Sequence, residues 1–234
     1  MQALYLEKPY EKEFTSNVKS ANGKFIVLEQ TLFYPNSGGQ PFDTGTLTDE
    51  EGNTYQVVFV GKFNGEISHE VDKEGLQAGQ TVKGSIAWER RYILMRYHTA
   101  SHVLSSLIHK ETGAEITGNQ LDTEKSRVDF SLESFDRDIM MGFEEKTNEI
   151  LRKDIPVISK FLPREEAFQI PSLVKLRKAF DASIQTIRVL DIQGVDIQAC
   201  GGTHVKNLKE IGQIKIIQLE NKGKDRRRLY FVLI

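Results

Sequence analysis

A single cysteine in 234 residues has no partner within the chain, so an internal disulfide is excluded. A lone thiol suits a reducing compartment, where it serves more often as a ligand or a nucleophile. Charge of one sign is also missing. A net charge of −2 excludes a uniformly basic surface, so any contact with nucleic acid must come from local patches. No apolar run approaches the ~20 residues of a membrane-spanning helix. The opening MQALYLEKPYEKEF is charged and lacks the apolar core of a signal peptide. There is no low-complexity linker and no internal repeat. The expectation is a cytoplasmic protein with no membrane association and no obligate protein partner.

What is present changes character near residue 87. Before it, turn signals recur at Ala21-Asn22-Gly23, Glu51-Gly52-Asn53, Asn64-Gly65 and Ala78-Gly79, with β-branched runs such as TYQVVFVG between them. Short strands at that spacing predict a small antiparallel barrel over residues 1–87, its last strand at 84–87. From Trp88, WERRYILMRYHTASHVLSSLIHKET carries no Gly or Pro and repeats its apolar residues at helical spacing. A long helix of roughly 22–25 residues is expected, stopped by Gly113. A strand at 127–132, a helix at 136–153, a strand at 155–162 and a short helix opening at 163 should follow. Strands at 186–192 and 211–219, a turn at 221–224 and a last strand at 229–234 complete an α+β domain over 88–234.

Metal-binding residue types are concentrated in two pentapeptides, HTASH at 98–102 and CGGTH at 200–204. On a helix, His98 and His102 share a face one turn apart and can converge on one ion. Cys200 and His204 flank two glycines that allow a tight backbone turn. Imidazole and thiolate together favour zinc over the oxygen-seeking magnesium and calcium, so one His₃Cys zinc site is expected. His69 and His109 have no such company and are expected at the surface. A zinc peptidase is disfavoured, because Thr99 stands where H-E-x-x-H enzymes carry their Glu. Four protein ligands also suit a closed structural zinc, and spacing leaves open whether the ion would activate water or position a substrate.

A third segment, QTLFYPNSGGQPFDTG at 30–45, reads locally as a barrel turn whose Gly38 and Gly39 permit close backbone approach. It is no phosphate-binding loop, since the Lys-Ser/Thr ending is missing. Taken with HTASH and CGGTHV, in order and spacing over essentially the whole chain, it resembles the editing domain of alanyl-tRNA synthetases and the free-standing AlaX proteins. The length is similar to the medium AlaX form. The HTASH and CGGTH pair is shared with the threonyl-type editing domain, and the glycine-rich segment is the alanyl-type feature.

The resemblance implies a trans-editing hydrolase, an aminoacyl-tRNA deacylase that cleaves Ser-tRNA(Ala), and Gly-tRNA(Ala) as a further substrate, while sparing Ala-tRNA(Ala). It implies zinc on His98, His102, Cys200 and His204, and Thr31 as the residue that recognises the serine hydroxyl. Gln40, with Gly38 and Gly39, would bind substrate, and Gln40 is the catalytic candidate acting with zinc. Lys222, Lys224, Arg226, Arg227 and Arg228 form a basic cluster suited to tRNA phosphates. Arg90, Arg91 and Arg96 read more as a solvated helix face. Three alternatives remain: Ser-tRNA(Thr) editing, a non-catalytic zinc-stabilised tRNA-binding module, and a zinc hydrolase acting on small esters or amides.

Overall fold

A computed structural model describes residues 1–133, 137–174, 177 and 180–234. The chain forms two compact units, Met1–Met95 with Gln120–Thr123, and Arg96–Asn119 with Glu124–Ile234.

The first unit is a closed six-stranded barrel. Short pieces β1 (Gln2–Ala3) and β4 (Gln30–Thr31) pair in parallel beside it. The barrel strands are β2 (Glu13–Asn22), β3 (Phe25–Leu28), β5 (Gly45–Asp49), β6 (Thr54–Phe63), β7 (Glu66–Val71) and β8 (Thr81–Ile86). They run in the order β2-β3-β7-β6-β5-β8, with β8 returning to β2. Alternation of buried and exposed residues along β2 and β8 directs Phe14, Val18, Val82 and Ile86 inward. The β6–β7 turn takes positive φ at both Asn64 (49°) and Gly65 (82°), the conformation an Asn-Gly hairpin prefers.

Helix α1 (Trp88–Thr112) is 25 residues long, as the absence of Gly and Pro predicts. It stops where Gly113, at φ 74°, donates its N–H to the carbonyl of His109 at 2.8 Å. Its stretch within the second unit is buried on nearly every side, small polar residues such as Thr99 and Ser105 included.

In the second unit, β9 (Ile116–Gln120) and β10 (Ser126–Phe130) precede α2 (Arg137–Leu151). Asp136, the expected start of that helix, lies outside the described residues. Strand β11 (Val157–Pro163), the single-turn helices α3 (Arg164–Ala167) and α4 (Pro171–Val174), β12 (Thr186–Ile192) and β13 (Asp196–Ala199) follow. The chain closes with β14 (Ile214–Asn221) and β15 (Arg227–Leu233). Two antiparallel sheets result, β14-β15-β10-β9 and β11-β12-β13. Tyr97 of α1 packs against Phe231 of β15 with tilted rings, centroids 5.7 Å apart. Asn148 of α2 accepts from the N–H of Ile214 and donates to its carbonyl, so α2 also covers the β14 edge.

Two expected strands shift. The 211–219 strand begins at Ile214, because Asn207 and Glu210 form a capping box around a short 3₁₀ turn and Gly212 takes φ 81°. The last strand starts earlier than expected, at Arg227, which pairs with Asn221 across a longer turn.

Candidate metal centre

Two elements of the second unit bring the two pentapeptides together. On α1, His98 and His102 stack one turn apart with ring centroids 5.3 Å from each other. Cys200 and His204 lie in the loop leaving β13, and the His204 ring sits 4.3 Å from that of His98 and 5.1 Å from that of His102. One donor atom from each of the four residues lies within 4.8 Å of all the others. The thiol sulfur is 3.2 Å from His204 Nε2 and 3.6 Å from His98 Nε2.

The surroundings select which nitrogen points inward. His102 Nδ1 meets the carboxylate of Asp196 at 2.8 Å, and His204 Nδ1 meets the hydroxyl of Thr99 at 3.2 Å. With Nδ1 engaged on the outside, Nε2 of each ring is left for the centre, an arrangement common around metal-ligating histidines. Thr99, standing where a peptidase would carry Glu, contacts the His204 ring instead.

The CGG loop is held from behind. Buried Arg188 of β12 donates to the carbonyls of Cys200 (2.6 Å) and Gly202 (2.9 Å), and its own carbonyl accepts the Cys200 N–H at 3.2 Å. Neither Gly201 nor Gly202 adopts a left-handed φ. The turn is set by the Arg188 clamp and by the Gly202 N–H reaching Cys200 Sγ at 3.4 Å.

Electrostatics favour a thiolate here. Burial alone would raise the Cys200 thiol, but electrostatic attraction and hydrogen bonds from the surrounding imidazoles outweigh it and hold the group well below its ordinary range. Burial also disfavours the charged form of His102, yet hydrogen bonds to Asp196 and to Cys200 push it up to about 10. His204 is pushed down to about 3, chiefly by burial, with electrostatic repulsion from the neighbouring imidazoles adding to it. One anionic sulfur and three imidazoles, two of them held by outer partners, form a donor set that fits a borderline-soft divalent ion.

The remaining predicted residues lie elsewhere in the fold. Thr31, Gly38, Gly39 and Gln40 belong to the first unit. Thr31 is fully buried, its Oγ1 2.9 Å from His69 Nε2 and accepting the Phe33 N–H at 3.0 Å. Ser37 and Gln40 exchange backbone hydrogen bonds around Gly38 and Gly39, both left-handed at φ 58° and 82°. Gln40 is buried.

His69, expected at the surface, is wholly buried: its Nδ1 donates to the Ile26 carbonyl at 3.0 Å, and burial lowers it to about 4. His109 is exposed. The helix arginines do not form a solvated face. Arg91 is fully buried, Arg90 donates to the Phe42 carbonyl, and Arg96 donates to that of Ile211.

The five hairpin cations share a hairpin but not one surface. Lys222, Lys224 and Arg226 are exposed. Arg227 is buried and donates to Asn221 Oδ1 and the Gly223 carbonyl, while Arg228 grips Asp129 with two nitrogens at 2.7 and 2.9 Å. Sequence reasoning did not find Asp196, Thr99 or Arg188. Asp196 and Arg188 carry no spacing signal, and Thr99 registered only as a missing Glu.

The family described as tRNA synthetases class II (A) matches residues 1–90, and the threonyl and alanyl tRNA synthetase second additional domain matches residues 187–230. The alanyl-tRNA editing protein AlaX-M of Methanosarcina barkeri is 51% identical over 100% of this chain and 99% of its own length. AlaX-M of Saccharolobus solfataricus is 44% identical, with 99% and 98% covered. An alanine–tRNA ligase of Methanococcus maripaludis is 37% identical over 94% of this chain but only 24% of the ligase. With identity of this order running from end to end, the chain belongs to the AlaX-M family of alanyl-tRNA editing proteins.

Proposed function

We propose that this protein hydrolyses, in trans, the ester bond of tRNA(Ala) carrying serine, and also glycine, and leaves Ala-tRNA(Ala) intact. Family membership supports an aminoacyl-tRNA deacylase. The observation that carries the reading is the convergence of His98, His102, Cys200 and His204 within 4.8 Å in a chain related end to end to editing proteins. These four residues would hold zinc, whose Lewis acidity polarises or orients a bound ester.

Selectivity is assigned to Thr31. Because His69 Nδ1 must donate to the Ile26 carbonyl, neutral His69 presents Nε2 as an acceptor, and the Thr31 hydroxyl hydrogen is committed to it. Thr31 Oγ1 therefore meets a substrate hydroxyl only as an acceptor, and serine supplies the donor. One lone pair of Oγ1 is taken by the Phe33 N–H, and alanine leaves the other without the donor that serine brings; sites built to hydrogen-bond a substrate hydroxyl can discriminate by ~10⁴. The glycine-rich Gly38-Gly39-Gln40 turn is assigned to substrate binding, with Gln40 as the catalytic candidate. Exposed Lys222, Lys224 and Arg226 are assigned to tRNA phosphates.

Four converging protein donors also favour a second reading, a closed zinc that only stabilises a tRNA-binding module. Deacylation of Ser-, Gly- and Ala-tRNA(Ala) by metal-replete and chelator-treated protein separates the two. The expected result is metal-dependent hydrolysis of the serine ester with the alanine ester spared. Tight tRNA binding without hydrolysis of any ester would establish the second reading.

A further inference from the structure

We propose that Asp196 is a positioning residue for the metal centre, fixing the proton, orientation and donor strength of His102. The inference rests on the metal-binding reading above and extends it to a residue outside the ligand set.

Asp196 opens β13, four positions before Cys200, and its backbone is held in register opposite Ile192 of β12. Its Oδ2 lies 2.8 Å from His102 Nδ1, with only 9% of its side chain and 11% of the histidine's exposed. Removed from water, a charge-assisted hydrogen bond of this length is strong and directional. It keeps a proton on Nδ1, so the proton released when His102 ligates comes from Nε2 and no tautomer change is needed. Electron density pushed into the ring by the carboxylate makes that nitrogen a better donor.

The corresponding support for His204 is the neutral hydroxyl of Thr99 at 3.2 Å, so the two rings are backed unequally. Asp196 is itself oriented, because Gln198 Nε2 donates to its other oxygen at 3.3 Å. It also lines a cavity of about 480 Å³ together with Ser105, Lys110 and Gln198. Shortening it therefore extends a space that water can enter and leaves no sealed void in a packed core.

Zinc affinity of wild type, Asp196→Asn and Asp196→Ala, measured by competition with a chromophoric chelator, tests the proposal. Thermal unfolding of each metal-free protein serves as the folding readout. Asp196→Ala should bind zinc ~10–100-fold more weakly, the range for loss of an outer carboxylate on a ligating histidine. Asp196→Asn keeps an acceptor of the same shape without the charge, so its affinity should fall between the other two. Metal-free stability should fall by less, in free energy, than zinc affinity does, and the cobalt-loaded absorption spectrum should change in the alanine variant. Wild-type affinity in both variants would overturn the proposal while leaving the metal reading standing. A wild type that takes up no zinc would overturn both. An affinity loss matched by an equal loss of metal-free stability would reduce Asp196 to a packing residue and overturn the positioning role.

Discussion

Asp43 and Arg91 face each other with neither side chain more than 1% exposed, and Arg91 Nε lies 2.9 and 3.0 Å from the two carboxylate oxygens. The remaining donors and acceptors are also matched. Arg91 reaches the carbonyls of Pro9 and Leu32, and Asp43 accepts the Tyr34 N–H. Removing one partner of such a pair strands a buried charge, so Arg91→Met or Asp43→Asn should cost about 3–5 kcal/mol in urea unfolding. The double replacement Arg91→Met with Asp43→Leu should recover part of the loss. Single variants within 1 kcal/mol of wild type would mean that water reaches the pair.

His69 gives a pH dependence with a definite sign. Its folded value of about 4 lies below the ordinary 6.5, so between those values the unfolded chain binds more protons than the folded one. Stability is unaffected by this group above pH 6.5, falls as the pH drops toward 4, and levels off below. The full loss is of the order of 3 kcal/mol. Comparing the pH slope of wild type with that of His69→Gln isolates the effect from the metal histidines. Parallel slopes from pH 6.5 to 4 would contradict it.

Metal removal should register as a loss of stability. An ion held by His98 and His102 of α1 and by Cys200 and His204 of the loop after β13 would join the two elements, and a ligand that binds only the folded state adds about 4 kcal/mol at a thousand times its Kd. Zinc should therefore raise the melting temperature, chelation should reverse the rise, and Cys200→Ser should abolish most of it. An equal zinc response in Cys200→Ser would remove the thiolate from the ligand set.

The hairpin cations should separate into two behaviours. Neutralising Lys224 and Arg226 should weaken tRNA binding and flatten its dependence on salt, by up to ~0.9 in log–log slope for each lost phosphate contact. Lys222 should contribute less, since it is paired with Glu220 at 2.6 Å. Arg227→Ala should instead lower stability, because its guanidinium holds the turn together. Filter binding across a salt series distinguishes these outcomes.

Thr31→Val removes one oxygen at nearly constant volume. Hydrolysis of Ser-tRNA(Ala) should fall sharply while zinc content stays at wild type. An unchanged rate would take Thr31 out of serine recognition.

Much of the fold could be read directly from the residues. The Asn22-Gly23 and Asn64-Gly65 turns, and the Gly-free run from Trp88 to a stop at Gly113, state their conformations locally. The four converging residues, His98, His102, Cys200 and His204, were equally visible, because two i,i+4 pairs need no knowledge of the fold. What escaped was decided at a distance. Strand β13 is four residues long, with an intermediate burial pattern and no clear alternation, and it exists because β12 offers an edge. Arg91 looks like any helix-surface arginine until Asp43, 48 residues earlier, is placed beside it. Asp196 and Arg188 likewise become legible only after the sheet β11-β12-β13 sets them around the CGG loop.

Closure of the barrel has a consequence for synthesis. Strand β2 is complete at Asn22, yet one of its two neighbours, β8, ends only at Ile86. At about 5–20 residues per second, that edge waits several seconds without a partner. The nascent chain passes through an open sheet with a free strand at its margin, and charged residues on that strand's outward face, Glu13 and Lys19, discourage pairing with another chain in the interval.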